Sequence, residues 1–368
     1  MDTVTPDPGP VPGPPAGEFT PEPGLSYLNT ASHGLLPARS AGALHAAVAR
    51  MSGGRIDLTG AFAAVEAARA SFARLAGVEA SRVATGVSTA THVGLVAAAL
   101  PSGAEVLAAE GEFSSLVGPF SVRDDLRSRT VPLPELAGAV GPETALVAVS
   151  AVRSDDGRIT DLPAIRAAAR AVGARVLVDT TQATGWLPVD AGAVDLTVCS
   201  AYKWLLCPRG VAFLTVSDEA YEAGFLTPLH AGWVAAEHPW ESVYGPLTRL
   251  APNARRFDEG PALLPYLAAE RSLALVEEVG QEALGARARA LAARFRAGLL
   301  RLGHRPVAAE FGESAVVAVP GLGHAVGPLA DAGVVTSARD GNLRAAFYLY
   351  NTEHEVDHAL NVLEGVGD

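Results

Sequence analysis

The sequence has only two cysteines, Cys199 and Cys207, with no second cysteine pair and no histidine cluster beside them. Their scarcity excludes a disulfide framework and a Cys/His zinc site, and makes a reducing cytoplasm the expected compartment. Lysine and arginine never gather in a block, and the formal charge is −12. Phosphate backbones are held by clustered cations, so a nucleic-acid partner is not expected and a small-molecule substrate is. Long apolar runs are also missing. The Ala/Val/Leu stretch from Val93 to Leu100 stops at Pro101, short of the roughly 18 residues of a membrane-spanning helix. Met1 to Gly24 is dense in proline and glycine but has neither the basic start nor the apolar centre of a signal peptide. It is expected to be a disordered leader.

What is present is a large apolar fraction, 49% of 368 residues, with 18% charged. That length exceeds what one core usually serves, so a large domain with a smaller one packed on it is expected. Short apolar runs alternate with helix-length segments: Arg82 to Thr85, Glu105 to Ala108, Leu146 to Val149, Arg175 to Val178, Leu196 to Cys199 and Val211 to Val216. This alternation predicts an α/β fold with a parallel sheet covered on both faces. A helix over Asp161 to Val172 is well punctuated, with Thr160 or Asp161 as N-cap and Gly173 just past its end. Beyond Pro265 a long helical region to about Leu302 precedes strands at Ala315 to Val319, Val334 to Ser337 and Leu343 to Phe347, then a helix from Glu353. The division expected is a leader over 1–24, a large α/β domain over 25–262 and a small α+β domain over 263–368. The segment up to about residue 50 is free to pack with the small domain.

Ligands of parallel sheets sit beyond the carboxyl ends of the strands. There the chain carries V-L-V-D-T-T-Q-A, with Asp179 at a strand end and Gln182 three residues on, then S-A-Y-K-W with Lys203 at the end of the next strand. A lysine amine becomes a useful nucleophile when its pKa is depressed or when it is already committed as a Schiff base. Pyridoxal phosphate provides that commitment, and its electron sink needs a carboxylate against the ring nitrogen. A third element, Thr85-Gly86-Val87-Ser88-Thr89, joins a strand to a helix start, where free N–H groups and hydroxyls suit a phosphate. Taken singly, each has a plainer reading: a strand-end Asp often caps a turn, a lone Lys is usually solvated, and Ser or Thr is an ordinary N-cap.

Together with the late L-R-x-x-x-Y-x-Y-N-T run from Leu343 to Thr352, these motifs resemble the class V aminotransferase and cysteine desulfurase-like family of fold-type I pyridoxal-phosphate enzymes. The resemblance spans about Tyr27 to Leu363. It implies that Lys203 forms the Schiff base, Asp179 pairs with the ring nitrogen and Gln182 bonds the 3-oxygen. It further implies that Ser88, Thr89, Ser200 and Tyr202 hold the phosphate, that Val87 also contacts the cofactor, and that Phe113 stacks on the ring where many relatives have histidine. Ser154 stands where Asn is common beside the cofactor oxygen. Arg344 matches the arginine that grips the substrate α-carboxylate, and Asn29 and His33 lie in the segment that passes over the site. A homodimer is implied too, with Arg255 to Gly260 reaching the partner's phosphate, although Gly260-Pro261 replaces the Gly-Thr of relatives.

The resemblance leaves the reaction open. Cysteine desulfurases carry a nucleophilic cysteine shortly before the carboxylate-binding arginine, and V-T-S-A-R-D-G-N-L over 335–343 has none. The details E-F-S-S, Y-K-W-L-L-C-P-R-G and T-S-A-R-D-G-N-L-R are similar to actinobacterial C–S lyases of ergothioneine and lincosamide pathways. The reaction expected is therefore β-elimination from a cysteine S-conjugate, with Lys203 taking the Cα proton. Transamination or decarboxylating deamination of such a conjugate, with sulfur retained, is the alternative on the same residues. A non-catalytic binding protein is the remote one, and it would be colourless where the enzyme is yellow.

Overall fold

The computed structural model describes residues 13, 15–308 and 311–366; most of the expected leader, residues 1–12 and 14, lies outside the described residues. Within the stretch expected to be disordered, Glu18 pairs with Arg39 (Nε–Oε1 2.5 Å) and the Phe19 ring lies 5.1 Å from that of Tyr350. Those two residues are packed.

The strands in chain order are β1 (Ser26–Tyr27), β2 (Val83–Gly86), β3 (Glu105–Ala109), β4 (Arg127–Val131), β5 (Thr144–Ser150), β6 (Arg175–Asp179), β7 (Leu196–Ser200), β8 (Ala212–Val216), β9 (Val316–Val319), β10 (Val334–Val335), β11 (Ser337–Arg339) and β12 (Asn342–Ala346). Seven of them form the main sheet, in the order β2-β8-β7-β6-β5-β3-β4. The sheet is parallel from β7 to β4. One departure from the all-parallel expectation is β8, which runs antiparallel to both β7 and β2. No helix joins β7 to β8, and without a crossover the chain can only return antiparallel.

Alternation along the central strands sends side chains to two covered faces. Val147, Val149, Val176 and Val178 face one layer, where Phe72 of the helix Leu58–Ala76 stacks on Phe213 with ring centroids 4.2 Å apart. Leu146, Ala148 and Leu177 face the other, against Val93 and Val96 of the helix Thr89–Ala99. Phe72 is fully buried, and truncating such a ring to alanine typically costs about 3–5 kcal/mol. The punctuated helix forms as Leu162–Val172: the Asp161 carboxylate accepts from Ala164 N at 3.0 Å, and Gly173 ends it at φ 76°.

The second, antiparallel sheet has the order β11-β12-β9. Its hairpin turns on Asp340 (φ 49°) and Gly341 (φ 74°), the Asp-Gly pair that a two-residue type I′ turn favours. Residues 26–34 bridge the two sheets. Their β1 pairs in parallel with β10, Asn29 bridges to Ala346, and Gly34 N donates to Tyr202 O at 2.9 Å.

Candidate active site

The carboxyl ends of β5, β6 and β7 open on a cavity of about 150 Å³ lined by Ser88, Thr89, Phe113, Ser154, Asp179, Gln182, Ser200, Tyr202 and Lys203, with Ser115, Ser150, Val152, Thr181 and Arg209. Sequence reasoning named the first nine and missed the last five.

Lys203 follows β7 in a tight turn. Leu206 N closes onto Lys203 O at 3.1 Å, and Leu206 itself, fully buried, sits at φ 58°, a costly conformation for a leucine. The lysine is 5% exposed, and no hydrogen bond or ion pair at its amine occurs among the described residues. Its Nζ lies 5.3 Å from the Phe113 ring centroid and 5.6 Å from that of Tyr202. Burial pulls its pKa down to about 8, against the opposing field of Asp179. Lys203 is also the one lysine among the 28 Lys and Arg residues of the sequence, a signal that would have singled it out before any motif.

Asp179 ends β6, is 5% exposed, and accepts from Thr181 N at 2.8 Å. Burial raises its pKa, with Thr181 and Lys203 opposing. A buried carboxylate without an ion-pair partner is costly, and a cationic ring nitrogen is the kind of group that would relieve it. Gln182 is fixed from two sides: Trp204 Nε1 donates to its Oε1 at 2.8 Å, and its Nε2 donates to Ala31 O at 3.0 Å. One N–H of the amide is thereby left for a ligand.

At the cavity's far end, Thr89 N donates to Ser200 Oγ at 3.1 Å, the Thr89 and Ser200 hydroxyls are 2.8 Å apart, and Ser200 N donates to Thr181 Oγ1 at 2.9 Å. Ser88 caps the helix through Thr91 N. The Arg209 guanidinium stands 4.0 Å from the Tyr202 ring centroid, adding the cation that the expected phosphate set lacked. Val87 is not among the lining residues; its N–H donates to Glu259 Oε1 at 2.8 Å. Gly260, next in the chain, is exposed and likewise outside the cavity of its own chain.

Arg344 projects from β12 and is 2% exposed. Its Nε donates to Ser337 Oγ at 3.2 Å, its Nη2 to Ser32 Oγ at 2.6 Å, and its Nη1 to the Ser154 carbonyl. It has no ion pair among the described residues. Asp155, an acid whose field reaches it, is committed to Arg153. Burial, then Arg339, lowers its pKa to about 9. His33 touches the site through the Tyr202 ring at 5.7 Å, and Asn29 Oδ1 is buried with no hydrogen-bond partner. Both cysteines are buried, and burial pushes the Cys199 thiol up to about 12. Neither can serve as a thiolate nucleophile at neutral pH.

Among the described residues no group of acidic, histidine and cysteine side chains could hold a metal, and no helix is long and apolar enough to cross a membrane.

The chain is 32% identical to the isopenicillin N epimerase of Streptomyces clavuligerus over 75% of each chain. It is 28% identical to the uncharacterized aminotransferase YcbU of Bacillus subtilis over 80% of this chain and 82% of that one. Its fold matches the cystine C-S lyase C-DES with a TM-score of 0.83 at 23% identity, over 94% of this chain and 98% of the other. It is the fold-type I fold of pyridoxal-phosphate enzymes. Residues 45–320 match the family model for aminotransferase class-V, and the chain therefore belongs to the class V aminotransferase family, with pyridoxal phosphate as its cofactor.

Proposed function

We propose that this protein is a C–S β-lyase that cleaves a cysteine S-conjugate into a thiol or sulfenic acid, pyruvate and ammonia. The observation that carries the reading is Lys203 in the cavity, with Arg344 beside it on the carbonyl of the lining residue Ser154, next to a hairpin, β11–β12, whose two-residue turn presents no thiol. A desulfurase needs a cysteine there to take the sulfur, whereas an eliminating enzyme lets the sulfur leave on its own.

The donor set suits the cofactor. Asp179 would hold the ring nitrogen in its charged form, Gln182 the 3-oxygen, and Phe113 one ring face. Ser88, Thr89, Ser200 and Tyr202 would hold the phosphate, with Arg209 supplying positive charge. When bound, pyridoxal phosphate supplies the electron sink for charge leaving Cα. The chain does the rest. Arg344 grips the α-carboxylate through a planar fork and sets the Cα–H direction. Lys203, with its amine pKa depressed toward neutrality, accepts the Cα proton. The C–S bond then breaks with its electron pair on sulfur, which leaves as the thiol after gaining a proton. One water is consumed as the remaining three-carbon fragment gives pyruvate and ammonia.

A homodimer working in the cytoplasm completes the reading. Trp240 and Tyr244 are 61% and 93% exposed, close in sequence to the Arg255–Gly260 segment assigned to the partner's phosphate. The name of YcbU favours transamination as the second reading. One assay separates them: a panel of cysteine S-conjugates scored for pyruvate, free thiol and amino-acceptor consumption. Pyruvate and thiol in equal amounts without an acceptor support the lyase, and strict dependence on a 2-oxo acid supports the transferase.

A further inference from the structure

Ser32 Oγ receives two guanidinium donors: Nη2 of Arg344 at 2.6 Å and Nη2 of Arg339 at 3.1 Å. The two cations therefore lie within the span of those bonds laid end to end. Like charges at such a separation repel. No ion pair to either exists among the described residues, and Asp155 is held by Arg153.

The hairpin explains the arrangement. Ser337 pairs with Arg344 and Arg339 with Asn342, so Arg344 and Arg339 project from the same face, one full side-chain repeat apart. That repeat is on the order of 7 Å along the strand. Arg344 is the buried member, and Arg339 is exposed at the turn. Through Ser32 its guanidinium stands beside that of Arg344. It is not turned to bulk solvent alone.

We infer that Arg339 binds a second carboxylate, on the far end of the substrate's side chain, while Arg344 holds the α-carboxylate. The substrate class is then a dicarboxylic amino acid, an S-carboxyalkyl cysteine conjugate whose two carboxylates are about five or six bonds apart. This deepens the lyase reading and rests on it for the sulfur, but the recognition of two carboxylates stands without it. An arginine at each end of the ligand fixes its direction in the cavity as well as its affinity.

The test uses carbon analogues that contain no leaving sulfur. Binding to the cofactor-loaded protein is measured by calorimetry for 2-aminoadipate and for norleucine. Wild type is expected to prefer 2-aminoadipate by about tenfold or more, as a charge-assisted fork implies. Arg339→Gln should bring the ratio to within about twofold, and Arg339→Lys should keep an intermediate preference. Absence of any preference in wild type overturns the inference. So does an Arg339→Gln variant that weakens both ligands equally, since both arginines would then share the α-carboxylate. S-carboxymethylcysteine is assayed in parallel for pyruvate and thiol. A binding preference without elimination sinks the lyase reading and leaves Arg339's role intact, and elimination without a binding preference does the reverse.

Discussion

Gly34 lies so close to Lys203 that a β-carbon on it would stand 2.1 Å from the lysine's carbonyl oxygen. That oxygen is backbone and cannot rotate away, although the next atom met, Leu206 Cδ2, belongs to a side chain. Gly34→Ala should therefore push the lysine turn out of place, at a cost of about 1–3 kcal/mol in stability, and reduce the bound cofactor per chain. Thermal melting together with cofactor absorbance checks this; an alanine variant with wild-type melting and full occupancy would show that the segment yields freely.

Asp258 and Arg69 form a buried pair, with Nη2–Oδ2 at 2.7 Å and Nη1–Oδ1 at 3.1 Å, and Asp258 Oδ1 also accepts from Thr85 N at 2.8 Å. The pair ties the strand before the phosphate loop to the 258–260 segment. Glu66 also holds Arg69, with Nη2–Oε1 at 3.0 Å, so Asp258→Ala removes the buried partner but leaves the exposed one, and should destabilise by about 2–3 kcal/mol, below the cost of a wholly unpaired buried charge. Chemical denaturation measures it, and a loss under about 1 kcal/mol would mean that water reaches Arg69.

The cofactor-free protein should show an unusual amine. Burial holds the Lys203 pKa near 8, with Asp179 opposing, and the deprotonated amine is the nucleophile. Reductive labelling with pyridoxal should thus speed up as pH rises from about 6 and level off just above 8, instead of climbing toward the ordinary lysine value of about 10.4. Asp179→Asn removes the field that favours the charged amine and should move the midpoint lower. Since Lys203 is the chain's one lysine, intact mass reads the reaction directly: one side-chain adduct, with only the α-amine competing.

Asp179→Asn should also keep the yellow holoenzyme yet lose turnover by a factor of about 100 or more, roughly 2.7 kcal/mol of barrier, because an amide supports a protonated pyridine poorly. Steady-state rates against absorbance per chain test it. Activity within about threefold of wild type would point to a different carboxylate.

Arg344→Lys should weaken substrate binding and slow turnover together, by about 100-fold in kcat/KM. A lysine cannot reproduce the bonds to Ser337, Ser154 and Ser32 that hold the guanidinium plane. A variant with an unchanged kcat/KM would make Arg344 structural.

Much of this was legible before any coordinates. The Asp161 and Gly173 caps act locally and read correctly. Asp179, Gln182 and Lys203 were marked by their places at strand ends, and they do share one cavity. β4, R-S-R-T-V, escaped notice because it is an edge strand with no apolar face to display. The direction of β8 depends on the absence of a crossover helix, which apolar patterning does not record. Ser32, Thr181, Arg209 and Arg339 were missed for a different reason: their significance lies in contacts that join distant parts of the chain, as with Ser32 and Arg339. The expected cofactor contact of Val87 meets a competitor, Glu259, which takes its N–H and which no local pattern announces.

The parallel pairing of Ser26–Tyr27 with Val334–Val335, and the bridge from Asn29 to Ala346, set an order of assembly on the ribosome. Residues 26–34 are made well before their partners at 334–346. During elongation the main sheet can form while the wall that carries Ser32 stays unplaced, and the closing contacts are among the most non-local in the chain, the slow kind in folding. The nascent protein is thus able to build its lysine turn before it can place Ser32 against Arg344, so the two sides of the site are completed in that order.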